Sequence, residues 1–346
     1  FNSGSPVGIG SSLVNVNEGS ISMSDKTTGA LLFYTEGMTV WNAANGVMPN
    51  GTGLMGNPSS TQSGMVVPRP GSATQYYVFT VFPGSGLRYS IVDMTLNAGM
   101  GDVTATKNVL LGGVNVDEKL TGCLHFNWID YWVTIHVGAS NQFISYLVTA
   151  AGIGAGVASN AGPVLNGAIG YMNMSSCGNW IGLSNYNPSL GVASFNNSTG
   201  VVSNYIDLNS GSNYSSGFSP DGTKFYHWSY TPTNAIYEVD LNAGTQAAIN
   251  ASRVQIAIEP NWFGAFVFGR DGKLYIPSYN TPNMHVINNP NLMGAAVGYV
   301  SNAINVVGNS QLGLPNFIEI SACPVPLPID LIYFNANCKD GKTIIE

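Results

Sequence analysis

Phe218-Ser219-Pro220-Asp221-Gly222-Thr223-Lys224-Phe225-Tyr226 decides the fold. Pro220 fixes one backbone angle, Asp221 can accept a hydrogen bond from the chain just after it, and Gly222 supplies the left-handed position that closes a hairpin. Phe225 and Tyr226 then open a strand. The same pattern returns at Phe268-Gly269-Arg270-Asp271-Gly272-Lys273-Leu274-Tyr275-Ile276. Looser copies stand at Met174–Ile181, at Leu124–Trp132, at Val67–Gly71 before Tyr76–Phe79, and at Met23–Gly29 before Leu31–Tyr34. Six anchors therefore lie near residues 23, 67, 124, 174, 218 and 268. Such intervals suit a blade of four short antiparallel strands, which takes roughly 40–50 residues. A blade has two apolar faces and cannot bury both alone, so blades stack radially. The sequence predicts an all-β chain forming a single β-propeller.

The chain has 346 residues, and the repeat assigns 1–322 to the propeller and 323–346 to a short β tail. Hydrophobic residues make up 45% of it, enough for a sizeable core, yet no run is long enough to span a bilayer. A transmembrane segment is not expected. The start at Phe1, with no signal peptide ahead of it, reads as a processed or trimmed end. Only 8% of residues are charged, against about 25% in ordinary soluble proteins. Solubility must then rest on amides, hydroxyls and backbone, a profile that suits extracellular surface and fibre-forming proteins. Eleven basic residues, scattered and outnumbered by eighteen acidic ones, offer no stripe for phosphate backbones, which excludes nucleic acid.

Four cysteines make an even set. Cys123 and Cys177 occupy near-equivalent places in consecutive repeats, and Cys323 and Cys338 bracket the tail. Bridges Cys123–Cys177 and Cys323–Cys338 are the expectation; buried or free thiols are the alternative. None of the four has metal-ligand spacing.

Residues 7–16 read as a lone strand that completes the last blade, closing the ring by pairing in the same blade as residues 314–320. Leu312–Ile320 reads as the inner strand of a seventh, thinner blade, so seven blades are expected and six are the alternative. Residues 45–63 read as a turn-rich excursion. Gly152-Ile153-Gly154-Ala155-Gly156 reads as an interblade turn, since it lacks the following helix and Lys-Ser/Thr of a phosphate loop. No segment sustains a helical period, so helix content should be very low.

Pro324, Pro326 and Pro328 mark a stiff linker. Beyond it, Ile329, Leu331 and Tyr333 alternate with Asp330, Ile332 and Phe334, a strand apolar on both faces, and Ile344 and Ile345 lie in a second. Two strands alone are marginal in water. Strand addition to a neighbouring copy, head to tail, would cover them; the alternative is a stump bound only to itself.

The stretches Gly29–Asn42, Val47–Gly51, Pro58–Ser63, Leu87–Met94, Glu118–Thr121 and Leu312–Ile318 resemble the large secreted propeller proteins that Bacteroidota export by type IX secretion. Pro326–Ala336 is similar to the opening of that system's C-terminal sorting domain, although the usual domain is several times longer. The resemblance implies export and an extracellular or cell-surface address, and carries no catalytic motif.

Chemistry is sparse. His125, His136, His227 and His285 stand on or beside expected strands, unpaired at ligand spacing, and read as structural, so no metal or other cofactor is expected. Glu36, Asp93, Glu118, Asp130, Glu238, Asp240 and Glu259 are acids that could face the axial channel, where a lactonase or glycosidase would need a pair. Trp41, Trp128, Trp132, Trp180, Trp228 and Trp262 recur about once per blade; most should pack between blades, while exposed ones would make a docking or sugar-stacking surface. These features predict a secreted, non-enzymatic structural or adhesive propeller, with the repeating subunit of an extracellular filament as one form. Its partners would be copies of itself, surface proteins or glycans. The alternatives are a glycan-binding module and a channel-mouth hydrolase.

Overall fold

Each anchor in the sequence proves to be the end of a blade's first strand. The computed structural model describes residues 12–113, 115–208 and 211–318, with the backbone of a hairpin in which Ala336–Lys339 pairs with Lys342–Ile345. Between Phe218 and Phe225, which face each other across the hairpin, the turn is built as its residues require. Gly222 adopts φ of 71°, and Asp221 Oδ1 accepts from Thr223 N at 3.0 Å and from Thr223 Oγ1 at 2.9 Å. Asp25 plays the same part for Thr27 and Thr28 in the first blade.

Six sheets follow one another along the chain, each an antiparallel meander whose strands keep their sequence order. Blade one holds Ile21–Ser24, Leu31–Thr35, Thr39–Asn42 and Val47–Thr52. Blade two holds Gly64–Pro68, Gln75–Phe82 and Gly86–Asp93, with an outer edge split between Asp102–Val103 and Val109–Leu110. Blade three runs through Val116–Leu124, Tyr131–Val137, Gln142–Thr149 and Gly152–Asn160. Blade four runs through Met172–Met174, Trp180–Asn185, Ser189–Asn196 and Val201–Asp207. Blade five has Asn213–Phe218, Lys224–Ser229, Ala235–Asp240 and Val254–Ile258, with one short helix, Gln246–Ala251, before its last strand. Blade six has Val267–Phe268, Leu274–Pro277, Thr281–Ile287 and Tyr299–Ser310.

Two segments differ from their sequence reading. Val47–Thr52 is the outer strand of blade one, not part of a loop. Pro49 is tolerated there because an outer edge does not need its missing N–H. Gly152–Asn160, with its glycines, is likewise an outer strand rather than a turn.

The propeller has six blades, not seven. Residues 312–318 join no sheet. They run down the axis instead, beside the inner strands. Leu312 N and Gly313 N donate to Asn17 O, Asn316 N donates to Ser20 O, and Ala265 N donates to Leu312 O. Asn316 Nδ2 donates to Gly64 O at 3.1 Å and to Leu120 O at 2.9 Å, and Tyr171 Oη reaches Leu312 O at 3.4 Å. Blades two, three, four and six, and the approach to blade one, are thus tied to a single axial rod. The free space left where it passes blades three, four and six is about 20 Å³, roughly what one water molecule needs. The rod fits because glycines stand at its closest contacts: a Cβ at Gly313, within the rod, would overlap the carbonyl of Glu18, and one at Gly264, facing it, would overlap that of Leu312.

Closure of the ring also differs from expectation. Five apolar clusters fill the five successive seams from blade one to blade six. Met65 and Phe79 against Leu120 and Ile135 is one example. Blade six meets the start of blade one through the rod, by way of Ala265, Leu312 and Asn17. No strand forms over the described residues 12–16 or 314–318, and residues 7–11 lie outside the described part.

Cys123 is a free, buried thiol, so the Cys123–Cys177 bridge does not form. It lies in the apolar cluster between blades three and four, beside Trp132 and Phe195. Cys323, Ile329, Leu331, Tyr333 and Phe334 lie outside the described residues, as do the side chains of Cys338, Ile344 and Ile345. The strand at Lys342–Ile345 pairs with Ala336–Lys339.

Candidate functional site

The two faces of the ring differ in what they expose. On one, the chain enters each inner strand and the second strand turns into the third. On the other, the inner strand turns into the second. Leu312 starts on the entry face, and Phe317 and Ile318 reach the opposite one, where they line a depression of about 380 Å³ with Asp25, Lys26 and Arg270.

On the entry face, beside the head of the rod, is an apolar cleft of about 190 Å³. Its residues come from four places. Glu18 precedes blade one, Tyr186 sits in the central turn of blade four, Tyr214, Trp228 and Tyr230 belong to blade five, and Trp262 precedes blade six. Ile169 and Leu312 complete the lining. Tyr186 and Tyr230 stack at 4.8 Å between ring centroids, and Trp262 stacks on Tyr279 at 5.9 Å. Trp262 is 52% exposed and Tyr186 46%, whereas Trp228 and Tyr214 are buried and form the floor.

Glu18 is the single ionisable acid of the cleft. Its carboxylate accepts from Tyr214 Oη. Burial pushes its pKa up to about 7; the hydrogen bond from Tyr214 opposes that rise, and the charge of Glu118 adds to it. The phenols of Tyr214 and Tyr171 are raised as well, chiefly by burial, and stay neutral. Glu118 lies toward the channel, where its Oε2 accepts from Thr61 N at 2.9 Å and Thr61 Oγ1 at 3.1 Å. The buried ammonium of Lys119 is directed elsewhere, to Ala168 O at 2.8 Å and Asn185 Oδ1 at 3.3 Å.

Of the acids singled out in the sequence, only Glu118 stands at the channel mouth. Asp93 and Asp240 close turns, accepting from Thr95 N and Asn242 N. Glu36 accepts from Thr39 N, Glu238 from Gly294 N and Glu259 from Tyr299 Oη. Asp130 accepts from Asn127 Nδ2 in a hairpin tip. His136 is paired with Asp117 at 2.7 Å, His227 with Asn213 at 2.8 Å, and His285 stacks on Tyr299. Among the described residues no three His, Cys, Asp or Glu are grouped to hold a metal. Trp132 packs between blades and Trp41 stacks on Tyr34. Sequence reasoning missed Glu18, Tyr186 and Tyr230. The aromatics at Tyr186 and Trp262 carried a usable signal, since both sit in polar turns, Asn185-Tyr186-Asn187-Pro188 and Pro260-Asn261-Trp262.

No family model matches the chain, and no curated protein does. Solved structures share its architecture. Streptogramin B lyase superposes with a TM-score of 0.50 at 13% identity, over 81% of this chain and 83% of that one. The periplasmic gluconolactonase of Pseudomonas aeruginosa gives a TM-score of 0.45 at 16% identity. That match spans 62% of this chain and 64% of the lactonase, less than two thirds of its length. At such identities the likeness is one of fold: the chain is an all-β, six-bladed propeller. Among the described residues no helix is long and apolar enough to cross a membrane.

Proposed function

We propose that the chain is a secreted, non-enzymatic propeller that works by contact, as a structural or adhesive component of a cell surface. The observation that carries this is the cleft walled by the exposed rings of Tyr186 and Trp262 and the half-buried ring of Tyr230, on the entry face. Aromatic walls at a solvent-facing site give contact area with little loss of side-chain freedom, which is why binding surfaces favour them. The axial rod supports the same reading, because the channel in which a propeller hydrolase could gather groups from several blades is occupied by Leu312–Ile318. The low charge content and the resemblance to type IX-secreted propellers support export and a surface address.

Adhesion to surface preparations and to a panel of immobilised glycans tests it. Trp262→Ala should reduce attachment by about 10-fold or more, the range of a central aromatic anchor. Attachment unchanged by that substitution would remove the cleft from the account.

A second reading has one observation in its favour. Glu18 and Glu118 are electrostatically coupled acids near one channel mouth, and Glu18 keeps its proton to about pH 7. Two carboxyl groups in unlike environments are what acid–base hydrolysis uses. Turnover of lactones or glycosides that disappears in Glu18→Gln would replace the contact reading with this one.

A further inference from the structure

We infer that the entry-face cleft binds a methylated ammonium group, as found in choline, betaine or trimethyl-lysine, with Glu18 as its counter-charge. The inference rests on the contact reading and names the ligand class of that site. A trimethylammonium group has no N–H to satisfy; it needs ring faces and a nearby negative charge. The cleft supplies both. Tyr186, Tyr230 and Trp262 form its walls, Trp228 and Tyr214 its floor, and the Glu18 carboxylate lies at its base. Among the described residues no Lys, Arg or His lines it.

A neutral sugar fits less well. Sugar sites pair stacking rings with several donors and acceptors for the hydroxyl groups. Here the rest of the lining is Ile169 and Leu312, and the one carboxylate already accepts from Tyr214. Apart from the Tyr186 and Tyr230 hydroxyls and the Trp262 indole N–H, such a site has little to replace the water that sugar hydroxyl groups would lose. The charge argument points the same way. Glu18 faces two neutral phenols, Tyr171 and Tyr214, and a second carboxylate, Glu118. The ammonium of Lys119 is held by Ala168 and Asn185 and lies in the field of Asp117 and Glu118. Burial of Glu18 without a cation is what raises its pKa, and an ammonium ligand would supply that missing charge. Proton and ligand therefore compete for Glu18, and affinity should fall as pH drops below about 7.

Tryptophan emission reports on occupancy, since Trp228 and Trp262 line the site. The probes are tetramethylammonium chloride, choline, and 3,3-dimethylbutan-1-ol, the uncharged isostere of choline. Both cations should give a saturable change, and the isostere should bind at least about 10-fold more weakly. Glu18→Gln and Trp262→Ala should each weaken choline about 10-fold or more, with the unfolding midpoint of Trp262→Ala near wild type and Glu18→Gln still folded at the pH of the titration. Between about pH 8 and about pH 5.5, wild-type affinity should drop and that of Glu18→Gln should stay flat. Equal binding of choline and its isostere overturns the inference, and so does the lack of a saturable response to either cation up to about 10 mM. If neutral oligosaccharides then bind in a Trp262-dependent way, the contact reading survives and only the ligand class is wrong. If they do not, and attachment is indifferent to Trp262→Ala, both fail.

Discussion

Tyr214 Oη donates to the carboxylate of Glu18 across 196 positions of sequence, joining the inner strand of blade five to the segment that leads into blade one. The bond sits where three features meet: the head of the axial rod, the aromatic cleft, and the seam at which the ring closes. A change in the ionisation of Glu18 is therefore felt by the fold as well as by the cleft.

Stability should carry that signature. Glu18 holds its proton to about pH 7 in the folded chain, against an ordinary value of 4.5. Between those values the folded state binds more protons than the unfolded one, so stability declines as pH rises through the window and levels off above it. Glu18→Gln should remove that slope. After allowance for the partial exposure of the group, the difference between variant and wild type should change by about 2 kcal/mol from pH 4.5 to pH 7. Denaturant unfolding across this range reads it directly, and parallel profiles would count against the burial of Glu18.

The rod can be loosened at one side chain. Asn316 Nδ2 bridges Gly64 O and Leu120 O, carbonyls of two inner strands. Asn316→Ala leaves both without that donor and should cost about 2 kcal/mol. Gly313→Ala should cost more, about 3 kcal/mol, because the new Cβ meets the backbone of Glu18. A midpoint shift at constant denaturant slope would fit a local loss; an unchanged midpoint in both variants would mean that the rod contributes little.

How much of this was legible in the sequence depends on whether the encoding is local. Inner strands and their turns were, because Asp221 and Gly222 build their hairpin from the residues next to them. Outer strands were not: Val47–Thr52 contains Pro49, and Gly152–Asn160 is rich in glycine, and both are strands only because a neighbour holds them. Leu312–Ile318 reads as a strand because it is extended and apolar. What makes it a rod is the space left by six closed blades, which no local pattern encodes. The cleft is harder still. Residues 18, 186, 214, 230 and 262 have no common spacing and are neighbours only in the ring.

Cys123 gives a chemical test of the blade three–four seam. Burial raises its thiol well above the usual range, and thiol reagents attack the thiolate. Native protein should leave Cys123 unmodified, and denatured protein without reductant should take up label there. Labelling in the native state would show that the seam opens; absence of label after unfolding would restore a bridge at this position.

Removing residues 324–346 should leave the ring folded, since Leu312–Ile318 and its bonds to the inner strands stay in place. If the tail joins copies by strand addition, the truncated chain should stay monomeric at concentrations where the full chain assembles, as gel filtration or electron microscopy would show. Assembly that persists without the tail would rule out this route.

Threading the axis also has a mechanical meaning. A load applied at Ile318 does not peel one strand from one sheet; it pulls Leu312–Ile318 lengthwise past the inner edges of the ring. The bonds from Leu312, Gly313 and Asn316 to Asn17, Ser20, Gly64, Leu120 and Ala265 are then strained together in shear. Tension drawn from the exit face is shared among several blades, and the aromatic cleft on the far side of the ring stays clear of the line of force.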